Sequence, residues 1–170
     1  MASRKIQDLK PVVQVLAQQV LLLAGQRGFD LLIYCTLRSF DEQARLYRKG
    51  RTLQQIIQKS NELHTHYKRP DLARLLIDIG PQPGEDIVTW AGPGQSLHNY
   101  GFAFDACPLR DGKPVWGAAL PEDLELWMSY GAIGKDAGME WAGNWPKSKR
   151  EFPHMQEPDA NWRELIQDYP

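Results

Sequence analysis

Hydrophobic residues near the N-terminus recur at the spacing of an α-helix. The repeated positions are Leu9, Val13, Leu16, Val20 and Leu23. Steps of four and three residues place these side chains on one face of a helix. Pro11 suits the first helical turn, and Gly25 is suited to end the helix.

A second pattern predicts a strand followed directly by a helix. Residues 31–36 are apolar and rich in strand-forming types, which predicts a buried strand. Ser39 and Glu42 have the spacing of a capping box, so a helix should begin there and end near Gly50. Arg38 therefore lies at the junction between strand and helix, where scaffolds often present functional side chains.

The rest of the chain alternates between helical and short extended patterns. Helical patterns cover residues 53–67, 72–79, 121–131 and 158–167, and extended patterns cover residues 87–90, 102–107 and 152–156. We expect residues 138–145, which are rich in glycine and tryptophan, to form a loop. Helices at both ends with short strands between them predict an α+β fold with a small, mostly antiparallel sheet.

Length and charge limit the classes of function. The 170 residues fit a single domain over residues 1–170. Lys and Arg total 20 against 21 Asp and Glu, so the sequence offers no strongly basic surface for nucleic acid. The longest apolar run, residues 20–24, is far shorter than the roughly 20 residues of a membrane span, so we expect no stable membrane insertion. The first residues lack the apolar core of a secretory signal, and we expect synthesis and folding in the cytoplasm.

An acidic residue within an apolar strand is the first candidate for chemistry. Asp105 lies between Phe104 and Ala106, and an isolated buried carboxylate is costly, so a cation would compensate its charge. Residues 103, 105 and 107 share a face of small side chains that leaves space for a ligand, whereas the opposite face should be core. His98 precedes Asp105 by seven residues, and Gly101 allows the chain to turn between them.

Glu151 and His154 form the second candidate pair. Pro153 prevents the helical spacing of His-Glu-x-x-His zinc sites, so we expect a loop leading into a strand, with His154 pointing inward. Zinc in hydrolases keeps three protein ligands and an open position for water. A carboxylate that is not a ligand can take the proton from that water, and Glu151 fits this role.

The joint pattern resembles a known family of zinc enzymes. Its parts are Ser96-x-His98-x-x-Gly101-x-Ala103-x-Asp105 and Glu151-x-x-His154. They are similar to the D-Ala-D-Ala carboxypeptidase and L-alanyl-D-glutamate peptidase family, and closest to its phage endolysin branch. Two further segments match the family's order, namely Leu37-Arg38-Ser39 with Gln43 and Leu46-Tyr47, and Trp141-Ala-Gly143-Asn-Trp145.

The resemblance implies a role for each matched residue. The implied ligands of Zn²⁺ are His98, Asp105 and His154. Glu151 would be the general base and then the acid, and Arg38 would hold the substrate carbonyl or its developing oxyanion. Ser96 would form hydrogen bonds to the substrate or to a ligand, and Trp141 would contact the substrate together with Trp145.

The implied activity is hydrolysis of an amide bond in the peptide stem of bacterial peptidoglycan, with L-Ala-D-Glu as the expected bond. Two alternatives stay open, a D-Ala-D-Ala carboxypeptidase or dipeptidase of the same family, and a non-catalytic zinc-fold binding module. We expect a monomer whose whole chain is catalytic, without a separate cell-wall-binding module. As an endolysin, it would reach the periplasmic wall after the membrane is permeabilised.

Three features depart from the family pattern. Thr36-Leu37 stands in place of Gly-Tyr, Met155-Gln156 stands in place of Phe-Glu, and residues 53–86 form a longer segment than expected. Outside the pattern, we expect His64 and His66 on the surface and both cysteines, Cys35 and Cys107, to be reduced. The other tryptophans, Trp90, Trp116, Trp127 and Trp162, should pack in or near the core.

Overall fold

The computed structural model describes residues 2–168, and their hydrophobic side chains gather in two cores. Each core belongs to one of two compact units. The sheet unit comprises Ser3–Leu37 and Gly101–Ala160, and the helical unit comprises Arg38–Tyr100 with the C-terminal segment from Asn161. The chain thus leaves the sheet unit just before Arg38 and returns to it at Gly101.

Most helices and strands follow the predicted order, with some changed boundaries. In chain order they are α1 (Pro11–Gln26), β1 (Leu31–Cys35), α2 (Phe40–Arg48), α3 (Leu53–Thr65), α4 (Pro70–Asp78), β2 (Ala103–Arg110), β3 (Lys113–Pro114), α5 (Pro121–Asp136), β4 (Glu140–Trp141), β5 (His154–Gln156) and α6 (Trp162–Asp168). Short 3-10 turns occur at Ile6–Asp8, Leu97–Tyr100, Ala142–Asn144 and Lys147–Lys149. No helix within residues 2–168 is both long and apolar enough to cross a membrane.

The strands form one antiparallel sheet in the order β1-β2-β5-β4, with the short β3 paired to β2. This arrangement confirms the predicted α+β class and its small antiparallel sheet. Phe104 and Ala106 are fully buried in the core of the sheet unit, as expected for the bulky face of β2. The predicted face of α1 is also confirmed, since Val13 and Val20 are buried in the same core.

Two local predictions were wrong. Residues 87–90 form no strand in the described chain, because Val88 and Trp90 are more than half exposed and offer no apolar face. Residues 138–145 are not only loop, because Glu140 and Trp141 pair with Gln156 and Met155 as β4. Short pairings of this kind leave no alternating pattern in the sequence.

The helical unit is built from α2, α3, α4 and α6 around a core that includes Leu63, Leu76 and Ile166. Ser39 caps α2 by accepting from the backbone N–H of Glu42, as its spacing predicted. Gly94 has φ +81°, and a Cβ there would lie 2.7 Å from Leu72 and 3.0 Å from Ile166. Glycine is therefore required in the loop that leads to Ser96 and His98.

Candidate metal centre

Asp105 on β2 and His154 on β5 lie opposite each other in the antiparallel ladder. Nδ1 of His154 lies 3.3 Å from Oδ1 of Asp105, and their side chains are only 9% and 14% exposed. The sheet therefore brings together two residues that lie far apart in the sequence. Of the three predicted ligands, these two belong to the sheet unit.

The surroundings of His154 favour a positive charge between the two side chains. Burial lowers the pKa of His154. The hydrogen bond and negative charge of Asp105, together with the charge of Glu151, raise this pKa by more than burial lowers it, so the net pKa lies above its ordinary value. The same negative surroundings that hold a proton on an imidazole also favour a divalent cation. An imidazole and a carboxylate are ligand types that zinc accepts, so the donor set fits this metal.

The segment before His154 is held by hydrogen bonds to one carbonyl. The carbonyl of Pro153 accepts from the backbone N–H of Ala106 at 3.1 Å and from the hydroxyl of Tyr130 at 3.0 Å. Burial, followed by the nearby charge of Asp105, raises the pKa of Tyr130 well above its ordinary value, so its hydroxyl stays a donor. These two bonds hold in place the carbonyl of the residue directly before His154.

Glu151 precedes this fixed segment and has an exposed side chain. Its backbone N–H donates to the carbonyl of Ala142 at 3.3 Å, which anchors the main chain and leaves the carboxylate in solvent. The carboxylate is close enough to His154 to raise the pKa of that imidazole. A general base must reach water and substrate, and an exposed carboxylate close to the buried imidazole of His154 meets that need.

Arg38 and His98 meet within the helical unit. The backbone N–H of Arg38 donates to the carbonyl of His98 at 3.0 Å, and Nδ2 of Asn99 donates to the carbonyl of Arg38 at 2.9 Å. His98 lies in the 3-10 turn Leu97–Tyr100 and is 2% exposed. Ser96 directly precedes this turn, and its carbonyl accepts from the N–H of Asn99 at 3.0 Å.

A buried glutamine orients the Arg38 side chain. Nη1 of Arg38 donates to Oε1 of Gln43 at 2.9 Å, and Nε2 of Gln43 donates to the carbonyl of Ala91 at 2.7 Å. Gln43 is fully buried on α2. The sequence pattern included Gln43 without a role, and the structure shows that it fixes the direction of the guanidinium.

Trp141 occupies the core and differs from the expectation that it contacts substrate. Its side chain is 4% exposed, and its Nε1 donates to the carbonyl of Phe152 at 2.7 Å. A Cβ at Gly131 or at Gly143 would overlap its indole ring. The ring is therefore enclosed, and its hydrogen bond supports the segment that carries Glu151 and His154.

Other sequence expectations have mixed outcomes. His64 and His66 are exposed, as predicted, and both cysteines are reduced. Trp127 is buried and Trp162 packs beside the helical core, but Trp90 and Trp116 are 66% and 63% exposed, so their predicted packing was wrong. Cys35, which the sequence did not single out, lies opposite Asp105 in the β1–β2 register, with its Sγ within 4.8 Å of a carboxylate oxygen.

Comparison with known proteins agrees with these motifs. A sequence profile of the D-alanyl-D-alanine carboxypeptidase family matches residues 90–157, which contain His98, Asp105, Glu151 and His154. The peptidoglycan L-alanyl-D-glutamate endopeptidase CwlK of Bacillus subtilis (strain 168) is 31% identical over 153 residues, which cover 88% of this chain and 73% of CwlK. The chain belongs to this family of zinc metallopeptidases.

Solved structures show the same fold for this metallopeptidase. The L-Ala D-Glu endopeptidase ChiX of Serratia marcescens matches with a TM-score of 0.50 at 15% identity, covering 98% of this chain and 92% of ChiX. The vancomycin-resistance D,D-pentapeptidase VanY, solved in complex with Zn(II), matches with a TM-score of 0.51 at 14% identity, covering 94% of this chain and 78% of VanY.

Proposed function

We propose that this metallopeptidase hydrolyses the L-Ala-D-Glu amide bond of the peptidoglycan stem peptide. The facing pair of Asp105 and His154, with the exposed carboxylate of Glu151 three residues before the histidine, carries the proposal. The relation to CwlK, an L-alanyl-D-glutamate endopeptidase, supports this choice of bond.

Three residues would hold the zinc ion, namely His98, Asp105 and His154. Zinc in such a site supplies Lewis-acid chemistry, polarising a carbonyl and lowering the pKa of water. Six residues lie between His98 and Asp105, and one of them, Gly101, has φ +75° in the described chain. A turn at this glycine supports their joint role as ligands.

Glu151 and Arg38 would carry out the steps that belong to the protein. Glu151 takes a proton from the attacking water, whose oxygen forms a bond to the carbonyl carbon of L-Ala. Arg38 stabilises the negative charge that develops on the carbonyl oxygen. Glu151 then donates its proton to the amine of D-Glu as the carbon–nitrogen bond breaks. The new carboxylic acid gives its remaining proton to the released amine, which leaves a carboxylate and an ammonium group.

Mass spectrometry of muropeptides treated with the zinc-loaded protein tests the bond. We expect intact stem peptides with a new N-terminal D-Glu, together with glycan that retains L-Ala. Loss of a single terminal D-Ala would instead identify a D-Ala-D-Ala carboxypeptidase. This second candidate has the activity that the description of the matching family profile names. Muropeptides that stay unchanged would favour the third candidate, a non-catalytic zinc-fold binding module.

The biological setting forms a separate part of the proposal. The motif similarity to phage endolysins supports a monomeric lytic enzyme made in the host cytoplasm, acting on the periplasmic wall after membrane permeabilisation. Turbidity of Gram-negative cells that express the protein tests this setting. We expect lysis only after the inner membrane is opened with chloroform, and lysis of untreated cells would contradict the proposed setting.

A further inference from the structure

A hydrogen-bonded chain connects His154 to a carboxylate on the neighbouring strand. Nε2 of His154 lies 3.1 Å from Oε1 of Gln156, and Nε2 of Gln156 donates to Oε2 of Glu140 at 2.8 Å. The other oxygen of Glu140 accepts from Nε1 of Trp145 at 2.6 Å. Glu140 and Gln156 face each other in the β4–β5 register, so the backbone holds the chain in place.

The carboxylate of Glu140 determines which way the amide of Gln156 faces. An ionised carboxylate only accepts, so Glu140 turns the amide nitrogen of Gln156 toward itself. The amide oxygen of Gln156 then faces His154 and accepts, which requires a proton on Nε2 of the imidazole. The carboxylate of Asp105 also only accepts, so Nδ1 carries a proton in the hydrogen bond to Asp105. A metal bound at Nδ1 would take the place of that proton, while the proton on Nε2 stays bonded to Gln156.

We infer that Gln156 is a positioning residue that, with Glu140 and Trp145, selects the His154 tautomer whose Nδ1 can bind the metal. This inference rests on the proposed role of His154 as a zinc ligand. Partners that orient a ligating imidazole contribute about 10–100-fold to metal affinity. The Trp145 ring adds to the restraint, because its centroid lies 5.5 Å from that of the His154 ring.

The same register explains a departure from the family pattern. A glutamate at position 156 would face Glu140 across the ladder, and like charges in that arrangement are destabilising. Glutamine keeps an oxygen that accepts from His154 and adds a nitrogen that donates to Glu140. The two positions therefore work as a pair, and the residue type at one determines which type suits the other.

Zinc affinity and the imidazole tautomer of the Gln156→Met variant test this role. Methionine keeps the length of the side chain and removes the acceptor, so we expect zinc to bind about 10–100-fold more weakly in competition with a chromophoric chelator. Nitrogen-15 NMR of the zinc-free protein should show that His154 loses its preference for a proton on Nε2. The matched control is Gln54→Met, an exposed position on α3 that should match the wild type.

A swap of the two side chains separates positioning from a general loss of structure. In the double variant Glu140→Gln with Gln156→Glu, the new carboxylate accepts from His154 and from Gln at position 140, whose oxygen accepts from Trp145. We expect zinc affinity within a few-fold of the wild type, with the Nε2 proton restored. Glu140→Gln alone should bind more weakly, because one donor then lacks its acceptor.

The inference would be overturned if Gln156→Met bound zinc as tightly as the wild type and kept the proton on Nε2 of His154. It would also be overturned if the double variant folded but bound zinc as weakly as Gln156→Met. Failure of the wild-type protein to bind zinc would contradict the proposed metal site itself, and the inference with it. Normal binding by the wild type with no effect of Gln156→Met would contradict the inference alone.

Discussion

The backbone N–H of Arg38 donates to the carbonyl of His98, which ties the residue expected to stabilise the oxyanion to one expected to bind zinc. This bond uses main-chain atoms only, so a substitution of the Arg38 side chain leaves it intact. The guanidinium itself is directed by Gln43, whose amide is anchored to the carbonyl of Ala91. A mutation of the Arg38 side chain can therefore remove the guanidinium and leave the main-chain bond to His98 in place.

Arg38→Lys should lower kcat and preserve zinc binding. Lysine keeps the positive charge but cannot donate to Gln43 and to substrate in the planar geometry of a guanidinium. We expect kcat to fall by about 10²-fold, the order of loss for one oxyanion donor. Zinc content measured by mass spectrometry should stay at the wild-type value. Arg45→Lys, an exposed control on the same helix, should change neither quantity.

Glu151→Gln should abolish catalysis while the protein stays folded and loaded with zinc. Removing a general base costs about 10²–10⁴-fold in rate, and the amide cannot accept the proton. Release of stem peptides from muropeptides gives the rate, and chelator titration gives the zinc content. The control is Glu125→Gln, an exposed glutamate on α5. Full hydrolysis by Glu151→Gln would exclude Glu151 as the base.

Gly131→Ala should destabilise the sheet unit although alanine favours helices. The added methyl group would overlap the enclosed ring of Trp141, and overpacking of this kind costs about 1–3 kcal/mol. Gly25→Ala on α1 is the matched control, because a Cβ there meets nothing within 4 Å. It should raise the free energy of unfolding by about 0.5–1 kcal/mol through helix propensity. Urea denaturation measures both changes.

Equal stability of Gly131→Ala and the wild type would contradict the close packing of Trp141. That packing also accounts for the glycine and tryptophan spacing of the Trp141–Trp145 segment, since Gly143 meets the same ring.

Glu62 should make the stability of the helical unit fall in acid. Burial raises the pKa of this carboxyl. Hydrogen bonds from Lys59 and Gln95 lower this pKa by more than burial raises it, so the net pKa lies below the ordinary value. A lowered folded-state pKa stabilises the fold above the unfolded-state value, and this contribution is lost as pH falls through the folded-state value. The contacts tie α3 to Gln95, which precedes Ser96 in the chain.

Urea denaturation of Glu62→Gln as a function of pH measures this contribution. The variant should lose about 0.5–1 kcal/mol at neutral pH, given the partial exposure of the ion pair. Its difference from the wild type should shrink once the pH falls below about 4, near the ordinary glutamate pKa. A difference that stays constant from neutral pH to acid would contradict the charged role of Glu62. Glu122→Gln, exposed on α5, is the control.

The sequence predicted those parts of the fold that leave a local pattern. Neighbouring residues were sufficient to predict the strand β1, the Ser39 cap and the apolar face of β2. The pairing of Glu140 with Gln156 is not, because it depends on which short segments meet across the sheet. Residues 87–90 have apolar types but no neighbour that would bury them, so their strand propensity has no effect.

The residues of the candidate site also differ in whether the sequence alone could predict them. Motif spacing was sufficient to select Asp105 and His154, which the structure brings to a separation of 3.3 Å. The residues that hold the site in position depend on three-dimensional contacts: Gln43, Asn99, Tyr130, Glu140 and Gln156. Trp141 was assigned to the substrate through its match to a segment of the family pattern, whereas the glycines that enclose its ring lie on α5 and in the turn after β4.

The ligand set can be measured directly by zinc K-edge X-ray absorption of the loaded protein. We predict a first shell of nitrogen and oxygen atoms at about 2.0–2.2 Å, from two imidazoles, one carboxylate and water. Cys35 lies opposite Asp105 and would add a sulfur atom at about 2.3 Å if its thiolate were a ligand. A sulfur shell, or a protein that retains no zinc, would contradict the site of His98, Asp105 and His154.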